Sequence, residues 1–392
     1  MIMKARREVG GTKPTANIAN FIILLLQFNV DLRSALDSDG SGGNLVRKHS
    51  KEDVLMRAAV YQGSQKFDIE DRPDPTPGPG QVVVDVIFCA ICGTDVHAFL
   101  YDVAPPGTVM GHEYSGTISA IGEGVTRWKV GDRIVGGGGE PPPEVSTSRG
   151  PRFNYRTQGF ASTDVRAYAE KVIMEEWQPI PLPEGVSDEE AAMCEPCAVT
   201  VHAVRLSQMK LGDTVAVLGA GPIGLLCMQV ARAAGATKVI VSEPVPARAE
   251  AARKLGADVV IDPTKEDVQE RLIELTDGIG PDVIFECAAA KGTLDIAMDT
   301  VKRGGQVVLV AIVWTPTDVM PPNWMAREVS LQSSFGTQPE DWRIALDLIR
   351  AGKVSMAPLV SEASFLPLDN IQEAFEALCE PSNQVQMVVK HG

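Results

Sequence analysis

Val217-Leu218-Gly219-Ala220-Gly221-Pro222-Ile223-Gly224 joins two apolar runs of different rhythm. Before it, Thr214-Val-Ala-Val-Leu218 is short, continuous and rich in valine, which predicts a strand buried on both faces. After it, Ile223 to Ala234 is long enough for a helix, and Gly235 stands where a helix C-terminus takes a left-handed residue. Strand, glycine-rich turn and helix in this order form a dinucleotide-binding signal. Gly219 permits the tight turn, Gly221 lets backbone amides approach a pyrophosphate, and Gly224 lets helix and strand pack closely. Pro222 and Ile223 complete the turn, and the helix N-terminus supplies partial positive charge to the phosphates.

Downstream the same alternation continues. Lys238-Val-Ile-Val-Ser242 predicts the next strand, and further strands are expected over 258–261, 282–286 and 306–310. Helices are expected over 248–255, 265–275 and 293–302, which together predict an α/β fold with a doubly wound parallel sheet. Glu243 ends the second strand, roughly 20 residues beyond the glycines, where a carboxylate can accept both ribose hydroxyls of NAD. A 2′-phosphate there would meet like charge, so NAD is expected rather than NADP. Arg248 is the nearby group able to serve a phosphate.

Upstream, from Met56 to about Val186, the pattern is β-rich. Val82 to Phe88 and Ser115 to Ile121 read as strands, with turns at Gly122-Glu-Gly124 and Gly131-Asp132. A compact barrel-like domain is expected. Gly136-Gly-Gly-Gly-Glu-Pro-Pro-Pro143 and the Ser/Thr/Arg-rich sequence to about Thr157 read as a surface lobe or mobile loop. This region contains Cys92-Gly-Thr-Asp-Val-His97 and Gly111-His112-Glu113-Tyr114, and Cys194-Glu195-Pro-Cys197 follows later. Thiolate and imidazole are the donors zinc prefers, and three protein ligands with one open position are the layout of a catalytic site. The tail from about Thr337 carries two helical patterns and ends on the strand-like Val385-Gln-Met-Val-Val389.

The 392 residues allow two domains, and 44% hydrophobic with 22% charged residues is ordinary for a soluble globular chain. A net charge of −15 argues against nucleic acid and against an anionic membrane surface as partners. Seven cysteines, an odd number in a long chain, read as reduced thiols and a cytoplasmic protein. Residues 1–55 differ from the rest: Lys4, Arg6 and Arg7 precede Phe21-Ile-Ile-Leu-Leu-Leu26, too short to span a membrane, and Ser38 to Gly43 reads as a linker. They are expected to add nothing to the chemistry.

These motifs, with Gly131-Asp-Arg133 and Glu195-Pro196, resemble the zinc-dependent medium-chain dehydrogenases/reductases, and most closely the sorbitol, butanediol and threonine dehydrogenase branch. The resemblance covers all but the N-terminal extension. It implies a GroES-like catalytic domain over 56–197 and 337–392, a Rossmann domain over 198–336, and a homodimer or homotetramer joined through an edge strand, for which 306–313 is the candidate. It implies Cys92 and His112 as zinc ligands, with Glu113 or Glu195 completing the shell, and Asp95 accepting the second ring N–H of His112. Thr94 matches the hydroxyl that bonds the substrate oxygen, and His97 the end of a proton relay. Many relatives hold a structural zinc on four cysteines after Gly-Asp-Arg; between 131 and 200 this chain has only Cys194 and Cys197, so one zinc per chain is expected. The implied reaction is NAD-linked interconversion of a secondary alcohol, diol or polyol and its ketone or aldehyde. A zinc-free double-bond reductase and a catalytically silent NAD-binding protein are the alternatives. Substrate-lining positions are expected on 98–108 and 136–160, and the acidic surface disfavours an anionic substrate unless a local arginine, Arg149 or Arg152, sits at the mouth.

Overall fold

The computed structural model describes residues 55–145, 165–314, 316–318, 320–379 and 383–392. The expected N-terminal extension, all but its last residue, and most of the lobe over 136–157, with Arg149 and Arg152, lie outside them. The described residues form one compact unit built on a two-stranded hairpin and two larger sheets.

The first and larger of these two sheets is mainly antiparallel around the apolar strand foreseen near Val82. A hairpin, β1 (Leu55–Gly63) and β2 (Lys66–Pro73), precedes β3 (Gln81–Ala90), and helix α1 (Gly93–Leu100) follows directly. Next come β4 (Glu113–Ile121), β5 (Arg133–Val135), β6 (Lys171–Glu175) and β7 (Ile180–Pro181). Strand β3 pairs with both β4 and β6, so it is central, which explains its nearly unbroken apolar sequence. Beneath it Tyr61, Phe67, Phe99 and Phe375 pack ring against ring with centroids 4.8–6.1 Å apart.

Two helices lead out of this sheet, α2 (Asp188–Ala192), closed by a Ser187/Glu190 capping box, and α3 (Cys194–Leu206). The expected boundary at residue 197 falls inside α3, whose buried face joins the cores of both sheets. Strand β8 (Thr214–Leu218), α4 (Pro222–Ala233), β9 (Lys238–Ser242), α5 (Pro246–Lys254), β10 (Val259–Ile261), α6 (Val268–Glu274), β11 (Val283–Glu286), α7 (Thr293–Thr300) and β12 (Gln306–Leu309) then alternate as the sequence predicts. Helix α8 (Pro321–Arg327) and strand β13 (Ser330–Ser333) complete the second sheet. Its order is β10-β9-β8-β11-β12-β13 with every pairing parallel. In β8, Val215 and Val217 face one core while Ala216 and Leu218 face another, as a sheet covered on both sides requires. The tail adds α9 (Pro339–Arg350), β14 (Phe365–Pro367), α10 (Ile371–Leu378) and β15 (Val388–Lys390). Strand β15 pairs with β3, so the chain end returns to the first sheet.

Two expectations need correction. The edges of the parallel sheet are β10 and β13, whereas β12 is interior, paired with β11 and β13. Ser330-Leu-Gln-Ser333 is polar and only half covered, so it lacks the apolar run by which the other strands are recognised. The glycine run at 136–139 is irregular but tightly packed. A Cβ on Gly138 would lie 2.4 Å from the Trp342 ring, and one on Gly139 1.6 Å from the Trp177 carbonyl. Close approach, and not looseness, requires glycine there.

Candidate active site

Helix α1 starts at Cys92, whose Sγ accepts the Thr94 N–H at 3.4 Å, so the thiol sits at the helix N-terminus where negative charge is favoured. Antiparallel pairing of β3 with β4 then brings His112 and Glu113 opposite the end of β3. One donor atom each from Cys92, His112 and Glu113 lies within 4.8 Å of the others, and among the described residues no other such group forms. Glu195, in the first turn of α3, lines the same cleft as these three.

Electrostatics make the cluster unfavourable as it stands. Burial pushes the Cys92 thiol up to about 12, and the Glu113 charge adds to the effect. The Glu113 carboxyl is pushed up to about 8, first by burial and then by the charge of Glu195. Burial raises Glu195 too. Burial opposes a charged imidazole at His112, yet the Asp95 and Cys92 anions beside it raise its pKa well above the usual value. Three acidic donors and an imidazole held together without compensation are what a divalent cation would relieve, so the residues fit a zinc ion.

Asp95 is 3% exposed and lies 3.5 Å from His112 Nδ1. Sequence gave no sign of its second partner: the Tyr168 hydroxyl donates to Asp95 Oδ2 at 2.7 Å. Tyr168 stands in Ala167-Tyr-Ala169, where no motif distinguishes it. His97 also has an unforeseen neighbour, since Trp314 Nε1 donates to its Nδ1 at 2.7 Å. That bond leaves the His97 proton on Nε2, and burial lowers the ring's pKa and keeps it neutral.

The nucleotide turn faces the other side of the cleft. Gly219 has φ +92°, and a Cβ on Gly224 would lie 1.9 Å from the Gly219 carbonyl oxygen. At Gly221 a Cβ would meet nothing within 4 Å, so the backbone there is open to a ligand. Pro222 takes the first position of α4, and no side chain caps the helix, which leaves its terminal N–H groups available. Glu243 serves this turn: Ala220 N–H donates to its Oε2 at 2.7 Å and Val245 N–H to its Oε1 at 2.8 Å. The carboxylate expected at the ribose is 3% exposed and braces the glycine turn. Arg248 Nη2 is directed to the Gln384 carbonyl at 3.4 Å.

One cleft of about 440 Å³ is lined by Cys92, Thr94, Asp95, His97, His112, Glu113, Glu195 and Ile223, and by Cys287 to Ala289 after β11. Glu286 shapes that last turn, accepting the N–H groups of Ala288 and Ala289 and the Thr293 hydroxyl. The cleft thus lies beyond the carboxyl ends of β8 and β11, where the strand order reverses and α/β sheets take their ligands.

A cation-suited cluster and an open nucleotide turn facing each other across one cleft define a nucleotide-linked metallo-oxidoreductase. Residues 222–351 match the zinc-binding dehydrogenase family, and residues 78–184 the alcohol dehydrogenase GroES-like domain. Sorbitol dehydrogenase of Halalkalibacterium halodurans is 35% identical over 322 residues, 78% of this chain and 92% of that protein. (R,R)-butanediol dehydrogenase of Bacillus subtilis is 34% identical, covering 86% of this chain and 99% of its own length. The crystal structure of 2R,3R-butanediol dehydrogenase from Bacillus subtilis superposes with a TM-score of 0.74 at 32% identity, over 86% of this chain and 100% of that one. The chain belongs to the zinc-dependent medium-chain alcohol dehydrogenases, in the branch that includes sorbitol and butanediol dehydrogenases.

Proposed function

We propose that this enzyme uses Cys92, His112 and Glu113 to hold one zinc ion, and the Gly219–Gly224 turn to hold NAD, in order to interconvert a secondary alcohol, diol or polyol and its ketone. The observation that carries this reading is the approach of three donor atoms within 4.8 Å in the cleft that Ile223 of the nucleotide turn also lines. When bound, the zinc supplies Lewis acidity toward an alcohol oxygen and NAD supplies the hydride acceptor. Glu195 lines the same cleft, and burial raises its pKa, so it would hold or release a proton as the site fills. The Thr94 hydroxyl would bond the substrate oxygen, and His97, held by Trp314 as the Nε2–H tautomer, would present an N–H donor at the cleft. The buried Glu243 favours a free ribose hydroxyl over a 2′-phosphate, in keeping with NAD.

The same proposal covers organisation. Residues 56–197 with 337–392 would form the GroES-like domain and 198–336 the Rossmann domain, supported by the return of β15 to β3. A homodimer or homotetramer would form through β13, where Leu331 is exposed, as is Met325 of α8. No helix of the described residues is long and apolar enough to cross a membrane, and we propose a cytoplasmic location. Cys92→Ser tests the site: it should lose both zinc and turnover while NADH binding, followed by fluorescence, persists. Full turnover in the zinc-free variant would overturn the proposal.

A further inference from the structure

Among the described residues lining the cleft, Asp95, Glu113 and Glu195 are carboxylates and Arg166 supplies the guanidinium. Its backbone is fixed against the segment that leads into His112. Val165 bridges to Val109, Arg166 N–H donates to the Val109 carbonyl at 3.1 Å, and Ala167 N–H donates to the Gly111 carbonyl at 3.1 Å. Ala167, Tyr168 and Ala169 are buried, whereas Arg166 is exposed. The same short segment therefore braces Asp95 through Tyr168 and presents a cation to the cleft from a rigid base.

In this acidic chain other arginines stand in ion pairs: Arg57 with Glu170, Arg133 with Asp188, Arg205 with Asp341 and Arg232 with Asp258. The Arg166 side chain has no hydrogen-bond or ion-pair partner among the described residues. A guanidinium present only to balance Glu113 and Glu195 would bond one of them. Arg166 and His112 also line an adjoining groove of about 790 Å³, so the guanidinium stands where the cleft opens into a larger space. Arg72 and Lys171 line that groove too, but they are paired with Glu70 and Asp74.

We infer that Arg166 is an anion-recognition group of the substrate cleft, and selects a secondary alcohol that carries a phosphate or carboxylate. This inference rests on the dehydrogenase reading and names its substrate class. A planar guanidinium with free N–H groups matches both anions in bidentate geometry. A net charge of −15 repels anions elsewhere, so a local cation is what allows one to enter. The part of the substrate beyond the reacting carbon would extend into the adjoining groove, with its charge on Arg166.

The test compares sorbitol with sorbitol 6-phosphate, and 2,3-butanediol with 3-hydroxybutyrate, by NAD reduction. It uses the zinc-loaded wild type, Arg166→Gln and Arg166→Lys. The wild type should favour one anionic member over its neutral counterpart in kcat/KM. Arg166→Gln should reduce that ratio by roughly 10- to 100-fold through KM, and Arg166→Lys should restore part of it. A preference for the neutral members, or an unchanged ratio in Arg166→Gln, overturns the inference. Calorimetric titration of sorbitol 6-phosphate and 3-hydroxybutyrate onto the NAD-loaded enzyme separates it from the parent reading. If no alcohol is oxidised, the dehydrogenase reading fails, yet Arg166-dependent binding of either anion would still support the recognition site and its absence would refute it.

Discussion

Tyr168→Phe removes one oxygen from a fully buried ring and leaves its packing on Phe375 in place. The lost hydroxyl is the donor at 2.7 Å to Asp95, whose remaining neighbour is His112 Nδ1 at 3.5 Å. Hydrogen bonds to buried charged groups contribute about 1.5–3 kcal/mol, so the metal-free protein should lose about 2 kcal/mol in urea unfolding. Asp95 in turn orients His112, and removing such supports costs about 10- to 100-fold in metal affinity. Zinc affinity is read by competition with a chromogenic chelator. If the hydroxyl acts through the carboxylate, the effect of Tyr168→Phe should largely vanish in an Asp95→Asn background. Zinc affinity within twofold of the wild type, or the same loss in both backgrounds, would refute the chain from Tyr168 to His112.

Three other outcomes follow from the geometry. Gly224→Ala places a Cβ 1.9 Å from the Gly219 carbonyl oxygen, so the turn must shift; NADH affinity by fluorescence titration should fall at least about tenfold while circular dichroism stays native. Zinc binding at pH 7 should release protons, because Cys92 (raised to about 12) and Glu113 (raised to about 8) must ionise and His112, its pKa raised by the anions beside it, must give up its ring proton; affinity should rise with pH, more steeply below about 8 than above it, and calorimetry in two buffers of different ionisation heat should show release. His391, buried with Nε2 at 3.1 Å from the Ala167 carbonyl, has its pKa lowered to about 4 by burial. The neutral form is favoured in the fold, so its contribution is complete above about pH 6.5, declines as pH falls toward 4, and amounts to about 3 kcal/mol at most. His391→Gln should flatten that part of the stability profile measured by urea unfolding between pH 4 and 7.

Legibility from sequence followed the periodicity of each element. Strands buried on both faces, such as Thr214–Leu218 and Lys238–Ser242, carry continuous apolar runs and were read to the residue. Ser330–Ser333 is covered on one side only and carries no such run, so the sequence pattern places the edge one strand too early. Helix α3 begins inside Cys194-Glu-Pro-Cys197, a stretch read for its chemistry, and its role in joining the two cores depends on contacts distant in sequence. In the site, the donors on local motifs could be picked out because Cys92, His112 and Glu113 stand in recognisable spacing. The groups that orient or accompany them could not. Tyr168 and Trp314 bond Asp95 and His97, and Arg166 lines the cleft, through pairings with residues far away in the chain, and nothing in their immediate sequence marks them. Glu243 shows the opposite limit: its spacing from the glycines was informative, but spacing alone does not reveal that both its oxygens bind backbone N–H groups.

The most direct test of the central claim is NAD reduction, followed by near-ultraviolet absorbance, across neutral and anionic alcohols before and after zinc is removed with a chelator. Turnover of at least one alcohol, lost with the metal and restored by added zinc, is the predicted result. Equal turnover by protein shown to be free of metal would contradict the account.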